Sequence, residues 1–400
     1  MSPSSASHPE SIDRIGDDAG LDRLVRSLAS HPFVAFDTEF VSEHTYRSQL
    51  CLLQVAAPGI LAAVDTLAVP DLTPFWKLLA EPGRTTIVHA GREELGFAFH
   101  AGAGLPSHLF DVQIAAGLVD HEYPAGYAAL VRRLLGKGTN KAETRTDWRR
   151  RPLSEAQITY AMDDVRHLED LWRLLERRLA ELGRTTWMTS EMSAWQADVC
   201  GSFQRKRWQR VAGLNSLSRR ELALARELWH WRDGVAEERD MPPKRVLRDD
   251  LLVELAKRRN PDEREIRAIR GMQRSDLKHI LPDLSAAIER GLSVADEDLP
   301  GGERHRSAPA GLNMLGQFLA TAIAGYCRQE SIAPALVGTA SDMRDLLAHK
   351  LGHLDEPPLL THGWRAELVG GVVDDLLAGR AALRIGDINS NDPLVIERFG

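Results

Sequence analysis

Between Phe33 and Phe40 the chain reads Phe-Val-Ala-Phe-Asp-Thr-Glu-Phe, an apolar strand broken by two carboxylates two positions apart. Side chains alternate across a strand, so Asp37 and Glu39 share one face while Phe36, Thr38 and Phe40 take the other. Few folds tolerate this. Acids at the end of a core strand are unfavourable unless something positive neutralises them, and a hard divalent cation such as Mg²⁺, which prefers oxygen ligands, does so without a neighbouring Lys or Arg. On this segment alone, a solvated strand end explains the acids equally well.

The surrounding pattern is α/β. β-like runs at Phe33–Thr38, Leu50–Ala56, Ile60–Asp65 and Thr85–His89 give way to helical patterns at Leu72–Ala80 and Val112–Val119. Pro58-Gly59 stands between two apolar runs as a hairpin turn requires, so the sheet is expected to be mixed: three meander strands, then β-α units. A long helix is predicted from Ser154, where Ser154 and Gln157 form a capping box, through Ile158, Met162, Val165, Trp172, Leu175 and past Leu179.

At 400 residues, 43% hydrophobic and 27% charged, the chain has a globular composition and room for two or three domains. Residues 1–192 are read as the α/β domain. Residues 208–292 carry no strand pattern and a second capping box, Ser218 to Glu221, and are read as a separate all-α unit. A connector rich in Asp, Glu, Gly, Pro and Ser follows at 293–310. The last segment, 311–400, is mainly helical, and its Ile332-Ala333-Pro334 echoes Met241-Pro242-Pro243, which hints at a diverged copy of the middle unit.

A formal charge of −7 excludes nucleic-acid binding by bulk charge, so any basic surface must be local. Cys51, Cys200 and Cys327 are too scattered for a zinc site or a disulfide framework. With a polar start and no uninterrupted apolar span, a cytoplasmic soluble protein is expected, with no membrane association and no obligate protein partner.

Two further acidic elements complete a constellation. Tyr160-x-x-x-Asp164 puts a phenol and a carboxylate on one face of the capped helix, off its apolar stripe. In His89-Ala-Gly-Arg-Glu-Glu94 a strand ends at the histidine and acids occupy a first helical turn, where favourable dipole chemistry is explanation enough for Glu93 and Glu94.

Together these motifs resemble the ribonuclease D family of 3′ to 5′ exonucleases, in the branch whose third motif carries a tyrosine. Phe36-Asp37-Thr38-Glu39-Phe40, His89 to Glu94, and Tyr160-Ala-Met-Asp-Asp164 match its three motifs, and Phe110-Asp111-x-Gln113 and Thr144 to Tyr160 match its connecting text. The resemblance implies a ribonuclease-H-like exonuclease domain in which Asp37, Glu39, Glu94 and Asp164 hold two divalent cations, Mg²⁺ or Mn²⁺, and Tyr160 positions a water. One departure is Glu94, where the family usually has Asp; Glu93 is the weaker substitute. Residues from Leu214 to about Leu292 look like the helicase-and-ribonuclease-D C-terminal (HRDC) domain, a helical nucleic-acid-binding module. The implied partner is RNA with a free 3′ end, tRNA precursors above all. The rival readings are an RNA-binding adaptor that has lost catalysis through Glu94, and a 3′ to 5′ DNA exonuclease.

Two basic stretches are candidates for phosphate contact. Residues 132–151 hold eight Lys and Arg against Glu143 and Asp147, a net +6; Arg205, Arg207 and Trp208 lie in the second. With the motif residues, the expected nucleic-acid contacts are His89, Gln113, Arg145, Trp148, Arg149, Arg205, Arg207 and Trp208. A solvated charge run and a core tryptophan explain these stretches as readily.

Overall fold

The computed structural model describes residues 11–139, 146–204, 208–273, 279–300 and 310–399. Two units emerge, one formed by Met1–Glu39, Leu50–Phe203 and Arg306–Gly400, the other by Phe40–Gln49 and Gln204–His305. Among the described residues no helix is long and apolar enough to cross a membrane.

The first unit is built on a six-stranded sheet of β1 (Asp13–Ile15), β2 (Phe33–Val41), β3 (Gln49–Ala57), β4 (Ile60–Asp65), β5 (Thr85–Val88) and β6 (Leu109–Asp111), in the order β1-β4-β3-β2-β5-β6. β1 runs parallel to β4, β3 antiparallel to β4, and β2, β5 and β6 parallel to one another, so the sheet is mixed as expected. Ala57 pairs with Ile60 across Pro58-Gly59, and Gly59 has φ 73°, the left-handed value that the third position of a type II turn demands. β1 and β6 escape the sequence reading because three residues are too few to display a period.

Helices α1 (Asp18–Leu28), α2 (Thr73–Ala80), α3 (Arg92–Ala101), α4 (Val112–Val119), α5 (Tyr127–Leu130), α6 (Glu155–Arg166), α7 (Leu168–Glu181) and α8 (Thr185–Gln204) belong to the same unit. β2 begins with four buried residues, Phe33 to Phe36, as a central strand covered on both faces does. Phe36 meets Phe75 and Trp76 of α2 edge-on at 5.6 and 5.8 Å. The capping box of Ser154 and Gln157 is formed. The single long helix expected beyond it is corrected: it breaks at His167 into α6 and α7, because the Tyr127 hydroxyl enters the hydrogen-bond ladder there.

In the second unit α9 (Arg219–Glu238), opened by the capping box of Ser218 and Glu221, packs with α10 (Pro243–Val246), α11 (Asp249–Arg258), α12 (Glu263–Ala268) and α13 (Leu281–Ser293) around Leu224, Leu228, Leu252, Leu284 and Ile288. The 40–49 segment joins this unit: the Tyr46 hydroxyl donates to Asp233 at 3.0 Å and Arg47 pairs with Glu237 at 2.9 Å.

The last third adds α14 (Ala310–Gln329), α15 (Pro334–Val337), α16 (Ala340–Lys350) and α17 (Gly363–Leu377) to the first unit, then an antiparallel hairpin, β7 (Ala381–Ile385) with β8 (Leu394–Arg398), absent from the helical expectation. Buried Arg184 ties it down by donating to the carbonyls of Leu118 at 2.7 Å, Ser331 at 3.0 Å and Glu330 at 2.5 Å. Glu191 accepts two hydrogen bonds from Arg365 and one from the Trp364 indole. Helix lengths of 20, 4 and 11 residues in α14 to α16 follow those of 20, 4 and 10 in α9 to α11.

Candidate active site

Because β2, β5 and β6 are adjacent and parallel, their C-terminal ends open on one edge of the sheet, the usual ligand edge of such sheets. Asp37 and Glu39 lie in β2 just beyond Phe33–Ala35, the stretch that pairs with β5. β5 ends at Val88, and the turn His89-Ala90-Gly91 leads into α3. Ala90 has φ 54°, unusual for a residue with a side chain, and a Cβ at Gly91 would collide with Val88. The fully buried carboxylate of Asp111, at the end of β6, holds this turn by accepting from the amides of Ala90, Gly91 and Gln113 at 3.0, 2.9 and 2.8 Å.

That turn delivers Glu94 into the interior. Glu94 lies in the first turn of α3, where the dipole favours its charge, but is only 5% exposed, and the Thr38 hydroxyl donates to it at 2.6 Å. Asp164 arrives from the last turn of α6, the helix end that disfavours a negative charge. Asp37 and Glu39 both sense the carboxylates of Glu94 and Asp164. Burial and then the charges of Glu94, Asp164 and Glu39 push Asp37 well above the carboxylate range. Glu39 is pushed up to about 8 by burial and by Asp164 and Glu94. Glu94 rises to about 7 through burial, against the lowering bond from Thr38, and Asp164 to about 7 through burial and Asp163.

Among the described residues no Lys or Arg is ion-paired with any of the four. An oxygen-only donor set with Glu94 buried, Asp37, Glu39 and Asp164 half-buried, and no competing base suits a hard divalent cation. Among the described residues, however, no three acidic, His or Cys side chains close on a single point as a finished cage. Like charges held apart are the expected form of such a set, since nothing in the protein offsets their repulsion.

Tyr160 borders the cluster. Burial and the charges of Asp164, Glu39 and Asp37 push its phenol up to about 12, so it stays protonated at neutral pH and can donate a hydrogen bond. Its ring packs beside Trp148 at 6.2 Å.

The remaining nucleic-acid candidates fare differently. His89 Nε2 lies 2.9 Å from the Ala125 carbonyl, and Gln113 Nε2 donates to the same oxygen at 3.0 Å, so both are committed inside the fold. Trp148 is buried against Tyr160, Arg149 pairs with Asp147, and Trp208 packs against the helical core of the second unit. Arg145, Arg205 and Arg207 lie outside the described residues. Nor is the +6 stretch a free cationic surface: Arg133 pairs with Asp120 and Glu122, Lys137 with Asp170, and Arg151 with Asp65. Arg132 and Arg150 are exposed and outside any ion pair among the described residues. Thr38 and Asp111 stand within the quoted motifs without a site role there, and the roles of both, like that of Tyr127, depend on partners distant in sequence.

Comparison with known proteins identifies a family. A family described as 3′-5′ exonuclease matches residues 12–180, and the HRDC domain matches 221–288. The ribonuclease D of Jannaschia sp. is 34% identical over 366 residues, spanning 89% of this chain and 92% of the relative. That of Gluconacetobacter diazotrophicus is also 34% identical, over 90% and 92%. The crystal structure of Escherichia coli RNase D, described as an exoribonuclease involved in structured RNA processing, is similar with a TM-score of 0.81 at 27% identity, covering 92% of this chain and 99% of that one. Alike to such relatives over nearly its whole length, and bearing the acidic strand end and the helix that faces it, the chain belongs to the ribonuclease D family of 3′ to 5′ exoribonucleases.

Proposed function

We propose that the enzyme removes nucleotides one at a time from the 3′ end of structured RNA, tRNA precursors above all, at a site formed by Asp37, Glu39, Glu94, Asp164 and Tyr160. The observation that carries this reading is the gathering of four carboxylates from three separate segments, with the charges of Glu94 and Asp164 acting on both Asp37 and Glu39 and no Lys or Arg ion-paired with any of the four among the described residues. These carboxylates would hold two divalent cations, Mg²⁺ or Mn²⁺. When bound, such cations polarise the phosphodiester and lower the pKa of water, so no strong protein base is required. Tyr160, a neutral phenol, donates a hydrogen bond that orients the attacking water or a phosphate oxygen. Thr38 holds the Glu94 carboxylate, and Asp111 holds the turn that presents it.

RNA binding is assigned to the uncommitted bases of the 132–151 stretch and to the HRDC domain. The parallel helix lengths and the proline-started short helices support residues 311–400 as a diverged copy of that domain.

The test is trimming of 3′-end-labelled tRNA precursor, beside single-stranded DNA of the same sequence, with Mg²⁺, Mn²⁺ or EDTA. The expected result is divalent-dependent release of the labelled 3′ nucleotide that is lost in Asp37→Ala and Asp164→Ala. Equal hydrolysis by these variants and the wild type rejects the site. RNA binding without divalent-dependent cleavage gives the adaptor reading, and faster cleavage of DNA gives the DNA exonuclease.

A further inference from the structure

The break between α6 and α7 has a side chain in it. In an uninterrupted helix the His167 amide would donate to the Asp163 carbonyl four residues earlier. Here the Tyr127 hydroxyl stands between them, accepting from His167 N at 3.1 Å and donating to Asp163 O at 2.9 Å. His167 leaves the helix at φ −108°, ψ 7°, and α7 starts afresh at Leu168. An inserted group of this kind is one of the few physical causes of a sharp helix break.

The wedge is held firmly. Tyr127 is 9% exposed, and its ring meets the His89 ring edge-on at 5.7 Å. Two residues earlier, the Ala125 carbonyl takes contacts from both His89 and Gln113. A continuous line of contacts therefore runs from the histidine turn, through Ala125 and Tyr127, to the carbonyl of Asp163, the residue before Asp164. The hydrolytic chemistry itself uses none of these atoms.

We propose that Tyr127 is a positioning residue: its hydroxyl, wedged between Asp163 and His167, ends α6 where Asp164 turns toward Asp37 and Glu39, and links that turn to the one carrying Glu94. This inference rests on the reading of Asp164 as a cation ligand. Removing the hydroxyl lets the Asp163 carbonyl and the His167 amide bond directly, which joins α6 to α7 and rotates Asp164 away from its partners. Little stability is lost, because the freed backbone groups satisfy each other.

Tyr127→Phe in the full-length protein removes only the oxygen. The expected result is a kcat on 3′-labelled RNA lower by roughly tenfold or more, since ångström-scale displacement of a reacting geometry costs up to about a hundredfold. Mn²⁺ affinity measured by calorimetry falls with it, while KM for RNA and the melting temperature stay near wild type. A purely structural tyrosine would instead lower the melting temperature and spare Mn²⁺ binding. Tyr127→Phe with wild-type kcat and Mn²⁺ affinity overturns the proposal if Asp164→Ala has lost both. If Asp164→Ala retains both, the reading of the site itself fails. Tyr123→Phe, at a half-buried tyrosine of the same segment, is the control and leaves every readout unchanged.

Discussion

Thr38 Oγ1 donates to Glu94 Oε1 at 2.6 Å, joining the acid-bearing strand to the first turn of α3, 56 positions along the chain. Strand alternation directs Thr38 away from the Asp37 and Glu39 side, so Glu94 is held from one side of β2 while its charge acts on Asp37. The glutamate, one methylene longer than the family's usual aspartate, has a dedicated donor.

Glu94→Asp is therefore expected to lose the Thr38 bond and to lower the rate of RNA trimming by about tenfold, because a site held within ~0.5 Å does not absorb a whole bond length. A rate above wild type in the labelled-RNA assay would mean that Glu94 is a detuned ligand.

Thr38→Val removes the one side-chain bond that keeps the Glu94 carboxyl from rising further. The acidic limb of the activity–pH profile should move to higher pH, with the fold intact by circular dichroism. An unmoved limb would sever Thr38 from the chemistry.

The metal-free protein should lose stability as pH rises. Glu39, Glu94 and Asp164 have folded-state values of about 8, 7 and 7 against ordinary values of 4.5, 4.5 and 3.8. In that interval the unfolded chain has released protons that the folded chain still binds, so unfolding is favoured by raising the pH from about 4.5 to about 8. In EDTA the melting temperature should fall across this window, and Mg²⁺ or Mn²⁺ should restore more of it at pH 8 than at pH 6. Equal restoration in Asp37→Ala would show that the cation acts elsewhere.

Arg151 and Arg150 are neighbours with different fates. Arg151 makes two bonds to Asp65, at 2.6 and 2.7 Å, and donates to the carbonyls of Trp148 and Cys51, both at 2.7 Å. Arg151→Ala should cost about 1–3 kcal/mol, read by denaturant unfolding, and leave RNA affinity unchanged at temperatures where the variant is folded. Arg150→Ala together with Arg132→Ala should leave stability unchanged and weaken RNA binding. The salt dependence of that binding should flatten by about 0.7 for each phosphate that is no longer neutralised. The reverse pattern would exchange their roles.

Much of this molecule is legible in short windows of sequence because the relevant physics is short-ranged. Period-two alternation suffices to place Asp37 and Glu39 on one side of a strand, and Pro58-Gly59 suffices for the β3–β4 hairpin. Ser154 with Gln157 and Ser218 with Glu221 mark two helix starts, since a capping box is satisfied within four residues. Whether a basic or polar side chain is spent inside the fold has no such local signature. Arg151 meets Asp65 from 86 residues away, and His89 and Gln113 find the Ala125 carbonyl only once the sheet edge has formed. The same holds for the break at His167, which α6 and α7 do not encode: their apolar stripe continues across it, and the group that divides them comes from Tyr127, 40 residues earlier. The sequence by itself determined which acids are available and which strands and helices carry them. The tertiary structure decided which partners hold them, because hydrogen bonding between distant segments depends on how the chain is packed and not on the residues beside each group.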